Sequence, residues 1–151
     1  TLFRLKVRLW AATSGKDTDW TAKVLDVHPD GYAQRLNDGI IRARYRKGLD
    51  RPEPVEPGKP EEYEIDCWAT CVNLAKGHSL RLEISSSAFP KFDRNLNTGG
   101  PIGKEDKWIV ADQTIYHDAK RASYLLVPVV PKAKVPEALP APKSGGSEAK
   151  K

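Results

Sequence analysis

Residues 77–85, GHSLRLEIS, carry the pattern that decides the fold. Leu80, Leu82 and Ile84 alternate with polar or charged residues through this stretch. A period of two puts every second side chain on the same face of an extended chain, as in a β-strand with one buried face. The stretch therefore predicts a strand that packs against a hydrophobic core.

The same alternation recurs on both sides of this stretch. Turn signals separate the alternating segments, and helical periodicity is scarce apart from one short helical turn expected at residues 72–77. About seven short strands separated by turns predict an all-β antiparallel sandwich or barrel. The other predicted strands lie at residues 5–9, 20–24, 32–36, 40–46, 61–68, 113–117 and 124–130.

Two turn motifs and one proline-rich segment punctuate the first half of the chain. HPDG occupies residues 28–31, and NDG occupies residues 37–39 between two alternating runs. Asn-Asp-Gly in that setting is a strong hairpin signal, so we predict a β-hairpin at residues 37–39. Residues 47–60 contain four prolines and two glycines, which predicts a surface connection without regular structure.

The strand at residues 77–85 leads into SSSAFPKFDRNLNTGG, residues 85–100. We interpret this segment as a long loop that contacts a partner domain, because long ordered loops are disproportionately functional. The alternative is a loop packed only on its own domain. The expected roles are apolar anchoring by Phe89 and Phe92, bonding to their own backbone by Asp93, Asn95 and Asn97, and a bidentate bridge to a carboxylate by Arg94.

Composition and charge narrow the classes of partner. The chain has 151 residues, 39% hydrophobic and 30% charged, which fits one domain of ordinary composition. No apolar run approaches the ~20 residues that a membrane helix needs, so no membrane partner is expected. Residues 131–151 hold five Lys and two Glu, which accounts for +3 of the net charge of +5. Most of the net positive charge thus lies in this segment and not in the rest of the chain, so no nucleic-acid partner is expected.

The domain boundary is predicted from the same change in composition. Residues 1–130 are expected to form the β-domain, and the Pro/Ala/Lys-rich residues 131–151 a disordered tail. Thr1 opens the chain in place of Met, directly before a strand pattern. We expect from this start that the sequence was cut from a longer polypeptide. The sequence leaves the localisation open.

No serine or histidine meets the requirements of a catalytic group. The segment GHSLR at residues 77–81 ends in Arg and precedes a strand, whereas a hydrolase serine sits in G-x-S-x-G before a helix. Ser79 is therefore predicted to be a strand-entry residue, and no base is identifiable for the serines of residues 85–87. Surface or packing roles without a catalytic partner are expected for three histidines, which are His28, His78 and His117.

Several charged and aromatic residues allow two interpretations. Asp17 and Asp19 could bind calcium or act as acid and base, but bonding to loop amides is more usual. A stripe of arginines at residues 42, 44 and 46 could bind phosphate, although a solvated strand face is more usual. The tryptophans could form a sugar platform, although core packing is more usual on alternating strands. They are Trp10, Trp20, Trp68 and Trp108.

The sequence indicates neither a metal nor a cofactor. Cys67 and Cys71 form a lone CxxxC without a histidine at ligand spacing, so two free, partly buried thiols are expected. TGGPIGK at residues 98–104 lacks both the spacing of a phosphate-binding loop and the Ser or Thr that follows its lysine.

Three segments together resemble a known family. Residues 17–46, 56–100 and 113–130 are similar, in this order, to the C-terminal domain of the Xaa-Pro dipeptidyl-peptidase-like serine hydrolases, which include cocaine esterases, glutaryl acylases and α-amino-acid ester hydrolases. The resemblance spans residues 7–130. It implies a jelly-roll β-sandwich of the galactose-binding-like type that packs on an α/β-hydrolase catalytic domain, either upstream in the same chain or as a separate chain, and helps to shape its active-site entrance.

The resemblance also implies that this chain alone is inactive. In the family the Ser–Asp–His triad belongs to the α/β-hydrolase domain, so no catalytic residue is assigned here. Two departures stand out: we expect the first strands of the family's domain to be absent before Leu5, and DCWATCVN replaces a motif that reads like DLWATSN in relatives. The alternatives are a stand-alone carbohydrate- or ligand-binding jelly roll and a remnant of a disrupted reading frame. A homo-oligomer is left open.

Overall fold

The computed structural model describes residues 4–131, and these form seven strands and one short 3₁₀ turn. All-β structure was predicted, and it is confirmed. The strands are β1 (Arg4–Thr13), β2 (Asp19–Val27), β3 (Ala33–Arg42), β4 (Glu61–Ala69), β5 (Ser79–Ser85), β6 (Gln113–Ile115) and β7 (Tyr124–Leu126).

The strands form two antiparallel sheets, as a β-sandwich requires. In the first sheet β1 is central, with β4 along one edge and both β7 and β6 along the other. β7 pairs with Lys6–Arg8, and β6 pairs with Ala11–Thr13, so the two short strands share one edge of β1. In the second sheet β2 is central between β3 and β5. The predicted jelly-roll sandwich agrees with this arrangement.

The core lies between the two sheets and uses the side chains that the alternation predicted. The rings of Trp20 on β2 and Tyr63 on β4 have centroids 5.9 Å apart, which joins the sheets at the centre. Burying each large apolar side chain stabilises the fold by about 1.5–3 kcal/mol. The residues that β1, β2 and β4 contribute to the buried core cluster are Leu5, Val7, Leu9, Ala11, Trp20, Ala22, Val24, Tyr63, Ile65 and Cys67.

The hairpin predicted at residues 37–39 is wrong, because β3 runs through them without a break. The chain reverses earlier, at the HPDG turn, where the His28 amide donates to the Tyr32 carbonyl at 2.8 Å. The β2–β3 register shifts after Val24, which pairs with Asn37, whereas Leu25 pairs with Arg35. One extra residue on β3 is a β-bulge, and bulges bend a strand while letting it continue.

Three other predicted elements differ from the structure. The strand predicted at residues 40–46 stops at Arg42, and Ala43–Tyr45 form the 3₁₀ turn. Residues 72–77 contain no helical turn. The last two strands are shorter than predicted, since residues 127–130 lie outside β7. Alternation in the sequence shows which residues could be extended, but it does not show how many of them pair with a neighbouring strand.

The predicted tail lies outside the described residues, apart from Pro131. No helix within residues 4–131 is long and apolar enough to cross a bilayer. The expectation that the first strands of the family's domain are absent before Leu5 stays a prediction. Where β5 faces β6 and β7, the sheets leave an apolar groove of about 400 Å³ whose lining includes Leu82, Ile84 and Ile115.

Candidate functional site

The segment predicted as an interface belongs to the β5–β6 connection, residues 86–112, which contains neither helix nor strand. The side chain of Asn95 ties it to buried residues of the sandwich. The side-chain nitrogen Nδ2 of Asn95 donates to Asp17 Oδ2 and to Asp19 Oδ1, each at 3.0 Å. Both aspartates are essentially inaccessible to water, so this end of the connection is held from inside the domain.

The two aspartates are paired with Arg42, the last residue of β3, and with Arg44 in the 3₁₀ turn that follows. Arg42 donates through Nε and NH2 to the Asp19 carboxylate at 2.8 and 3.0 Å. Arg44 donates its backbone N–H and its Nε to Asp17 at 2.9 and 2.7 Å. The hydrogen bond that Arg42 donates to Asp19 raises the pKa of Arg42. A buried charge needs this pairing, because removing one partner would strand the other in a medium of low dielectric constant.

These contacts settle the two interpretations of the charged residues. Asp17 bonds a loop amide, as the more usual interpretation predicted. The solvated arginine face is wrong: the side chains of Arg42, Arg44 and Arg46 are 17%, 15% and 6% exposed. The strand alternation stops at Arg42, so the three side chains do not share one open face.

Backbone contacts fix the middle of the connection. The backbone N–H of Asn97 donates to Asn95 Oδ1 at 2.9 Å. This is the predicted bond between the Asn95 side chain and nearby loop backbone. Asn97 also donates through Nδ2 to the Ile109 carbonyl at 3.0 Å, and its own carbonyl accepts from the Lys16 amide. Asn97 has φ +63°, a left-handed conformation that Asn tolerates better than most residues. The two halves of the connection are therefore tied together.

Phe89 and Arg94 depart from their expected roles. Phe89 is 57% exposed rather than anchored in apolar surface. The Arg94 guanidinium lies over the Phe89 ring, 4.3 Å from its centroid, where a carboxylate bridge was expected. A guanidinium over a ring gains cation–π attraction and holds the ring outward. Phe92 is half buried, and with Asp93 it lines a shallow depression of about 260 Å³ beside Tyr45.

Besides Phe89, the connection exposes large apolar side chains that were not predicted to contribute to an interface. Contiguous exposed apolar surface on a soluble domain is a mark of an interaction site. Alternation could not identify these residues, because they lie outside regular structure. The exposed large apolar residues of residues 86–112 are Phe89, Ile102, Trp108, Ile109 and Val110.

The serines have structural contacts. Ser85 Oγ donates to the Ser87 carbonyl at 3.1 Å and accepts from the Ser87 amide at 3.3 Å, which forms a local turn. Ser79 is the first residue of β5, as predicted for a strand-entry residue. The described residues provide no base for any of these hydroxyl groups.

Two of the three histidines have a carboxylate partner that the sequence did not reveal. His78 Nδ1 lies 2.8 Å from Asp26 Oδ1, and His28 Nε2 lies 3.9 Å from Asp26 Oδ2. Asp26 and His28 are close in sequence, whereas His78 is 52 residues from Asp26 and meets them because β2 and β5 are paired. His117 lies apart from them and lines the apolar groove.

The two thiols are free, as predicted, but their environments differ. Cys67 is completely buried and Cys71 is exposed. Burial raises the pKa of the Cys67 thiol to about 11, with a smaller contribution from the nearby Asp66 carboxylate. Trp20 is buried, whereas Trp68 and Trp108 are 63% and 68% exposed. The Arg4 guanidinium covers the Trp68 ring at 4.8 Å.

Comparison with known proteins agrees with this architecture. Residues 4–126 match the family described as the X-Pro dipeptidyl-peptidase C-terminal non-catalytic domain. The chain is 41% identical over 128 residues to cocaine esterase from Rhodococcus sp. (strain MB1 Bresler), an alignment that covers 83% of this chain and 22% of the esterase.

Two solved structures share the fold. An aminopeptidase from a marine sediment archaeon, Thaumarchaeota archaeon, superposes with a TM-score of 0.80 at 31% identity, covering 85% of this chain and 23% of the aminopeptidase. An α-amino acid ester hydrolase superposes with a TM-score of 0.77 at 31% identity, covering 84% and 23%. The chain spans less than a quarter of each of these relatives.

The fold and the family match together define the class: a non-catalytic β-sandwich domain of the kind found in larger serine hydrolases. The chain belongs to the X-Pro dipeptidyl-peptidase C-terminal domain family.

Proposed function

We propose that this domain packs on an α/β-hydrolase catalytic domain through its β5–β6 connection and helps to shape the entrance of that domain's active site. The observation that carries the proposal is an irregular connection that is held rigidly yet exposes Phe89, Trp108 and Val110. Rigid apolar surface lowers the entropic cost of association, because few side chains must be ordered on docking.

The chemistry of the parent protein would be acyl transfer through a serine acyl-enzyme stabilised by an oxyanion hole. The related proteins are a cocaine esterase, an aminopeptidase and an α-amino acid ester hydrolase, so the substrate would be an ester or an amide. The triad would come from the catalytic domain. The isolated chain would therefore be inactive, because Ser79 and the serines of residues 85–87 have structural contexts and no base is identifiable for them within residues 4–131.

The first experiment is the mass of the native protein in its source, measured with an antibody to this domain. A species several times heavier than 16.8 kDa is expected. In that protein Phe89→Asp should lower kcat/KM for ester hydrolysis and weaken the coupling of thermal unfolding between the domains. The matched control is Leu49→Asp, since Leu49 is 82% exposed but lies in the β3–β4 connection. Equal effects of the two variants would contradict the assigned docking surface.

A second candidate is a stand-alone carbohydrate-binding module. It is favoured by the exposure of Trp108, because a free indole face can stack on a sugar ring. Titration with a panel of oligosaccharides, followed by tryptophan fluorescence, separates the two candidates. A native species of 16.8 kDa whose fluorescence responds to one sugar class would favour this module, and no response to any sugar would remove it.

A further inference from the structure

One rim of the sandwich gathers polar side chains where the core pattern predicts apolar ones. On β2 the inward positions Trp20, Ala22 and Val24 are followed at the same spacing by Asp26 and His28. On β5 the half-buried Leu82 belongs to an alternating series that begins at position 78 with His78. Because β2 and β5 pair antiparallel up to Val27 opposite Ser79, the next pair in the register is His28 opposite His78.

The three side chains are close enough to share one ligand. His28 and His78 have ring centroids 4.2 Å apart, and each has a nitrogen facing the Asp26 carboxylate, at 3.9 and 2.8 Å. Three donor atoms, one from each residue, lie within 4.8 Å of one another. The side chains of Asp26, His78 and His28 are 8%, 16% and 31% exposed, so the cluster opens to water on the side of His28.

Asp26 differs from the other buried aspartates of this domain. The Asp17 and Asp19 carboxylates each accept three hydrogen bonds and pair with an arginine. Within residues 4–131, Asp26 Oδ1 contacts His78 and Oδ2 accepts no hydrogen bond. No arginine or lysine pairs with it there either. A buried carboxylate that keeps a free oxygen beside two imidazoles has the composition of a metal site that still needs its cation.

We propose that Asp26, His28 and His78 form a binding site for a divalent transition metal ion, with Zn²⁺ as the best match. Two imidazole nitrogens and one carboxylate oxygen are a donor set that zinc takes in proteins, with water in the fourth position. Zinc has no geometric preference from its d electrons, so it tolerates an irregular strand-end site. Bonds of about 2.0–2.2 Å place neighbouring tetrahedral donors about 3.3 Å apart. The 3.9 Å spacing of His28 from Asp26 would have to shorten and the 2.8 Å spacing of His78 from Asp26 to lengthen, which requires only small side-chain rotations.

The metal would clamp the turn that follows β2 to the residues that precede β5. His28 belongs to the HPDG turn between β2 and β3, and His78 precedes β5. The turn already meets the start of β5, because a β-carbon on Gly77 would lie 3.4 Å from Pro29 Cγ. An ion that binds the folded state and not the unfolded chain stabilises the fold by mass action. The site is independent of docking to a hydrolase domain, so either proposal can fail alone.

The test is calorimetric titration of the untagged full chain with ZnCl₂ in phosphate-free buffer, combined with thermal unfolding and the visible spectrum of the Co²⁺ complex. We expect one equivalent of Zn²⁺ to bind and to raise the unfolding midpoint. His28→Ala removes a proposed ligand and should weaken the affinity about tenfold or more, since mutating a residue that only hydrogen-bonds to a metal ligand already lowers metal affinity by about that factor. His78→Gln should do the same, while the Gln side chain can still donate a hydrogen bond to Asp26, so this variant keeps the test valid if alanine variants fold poorly.

Two controls separate this site from adventitious binding. His117→Ala removes the histidine that lies outside the cluster and should leave the affinity unchanged. Cys71→Ser should also leave it unchanged, and the Co²⁺ spectrum should lack thiolate-to-metal charge-transfer absorption. The proposal is overturned if the wild-type chain binds no Zn²⁺, if His28→Ala and His78→Gln bind it as tightly as wild type, or if a control variant loses it to the same extent.

Discussion

Gly39 of β3 passes so close to Asp66 of β4 that a β-carbon on Gly39 would overlap the Asp66 carbonyl group, 2.9 Å from its carbon atom. The approach joins the two sheets along one side of the sandwich. On the same side, Asn37 Nδ2 donates to the Cys67 carbonyl at 2.7 Å. Glycine at position 39 is thus needed for a close contact between strands and not for a turn.

Gly39→Ala should destabilise the domain by about 3 kcal/mol or more, because the obstacle is backbone that cannot rotate away. The free energy of unfolding of the full chain in urea measures this. Gly31→Ala is the control: Gly31 has φ +90° with open space around it, so only a conformational cost of roughly 1–2 kcal/mol is expected. A loss at Gly39 no larger than the loss at Gly31 would show that β3 and β4 separate easily.

The alternation of single strands was readable from the sequence, but the contacts between strands were not. β1, β2, β4 and β5 lie where Val7, Val24, Ile65 and Leu82 predicted them, because a period of two reports which face of a strand is buried. Asn37–Gly39 misled the prediction, because the composition of a hairpin turn is also the composition of a strand that bulges and meets a neighbour closely.

The sites escaped prediction for the same reason. Asn95 was expected to bond its own backbone, and it does so through Oδ1, but its amide nitrogen reaches two aspartates far away in sequence. His28 and His78 were interpreted as surface or packing residues without an identifiable partner, since a sequence does not state which strand pairs with which. With the β2–β5 register known, their meeting follows directly.

Asn95→Ala should destabilise the domain by about 2–3 kcal/mol, because two hydrogen bonds to buried charged groups are lost together. The variant should also loosen the β5–β6 connection, since Asn95 is the side chain that ties it to Asp17 and Asp19. Urea unfolding and limited proteolysis of residues 86–112 measure the two effects. Asn73→Ala, at an exposed position in the β4–β5 connection, is the control and should change neither. Unaltered proteolysis in Asn95→Ala would mean that the remaining bonds to the sandwich, among them those of Arg44 to the Gly100 carbonyl and of Lys91 to Asp38, hold the connection.

The two thiols should react at very different rates. At pH 8, Ellman's reagent should modify Cys71 quickly and leave Cys67 intact, because the nucleophile is the thiolate and Cys67 is both buried and shifted to a pKa of about 11. Cys71→Ser should abolish the fast reaction, and Cys67→Ser should preserve it. Adding denaturant should expose one further thiol in the wild-type chain. Two fast thiols in the native chain would contradict the packing of Cys67 beneath β3.

The same shift makes the fold sensitive to alkali. The Cys67 thiol ionises near its ordinary pKa of 9.0 in the unfolded chain, but near 11 in the folded domain. Between these values the unfolded chain has released the proton and the folded domain has not, so stability is complete below pH 9 and falls as the pH rises towards 11. The full shift corresponds to roughly 3 kcal/mol, of which roughly 2 kcal/mol is lost by pH 11, where the folded thiol is half ionised. Tyrosines and lysines titrate in the same range, so the measurement is the difference between wild type and Cys67→Ala. In urea unfolding from pH 8 to 11, wild type should lose roughly 2 kcal/mol more than the variant. Parallel stability curves would show that water reaches the Cys67 thiol in the folded domain.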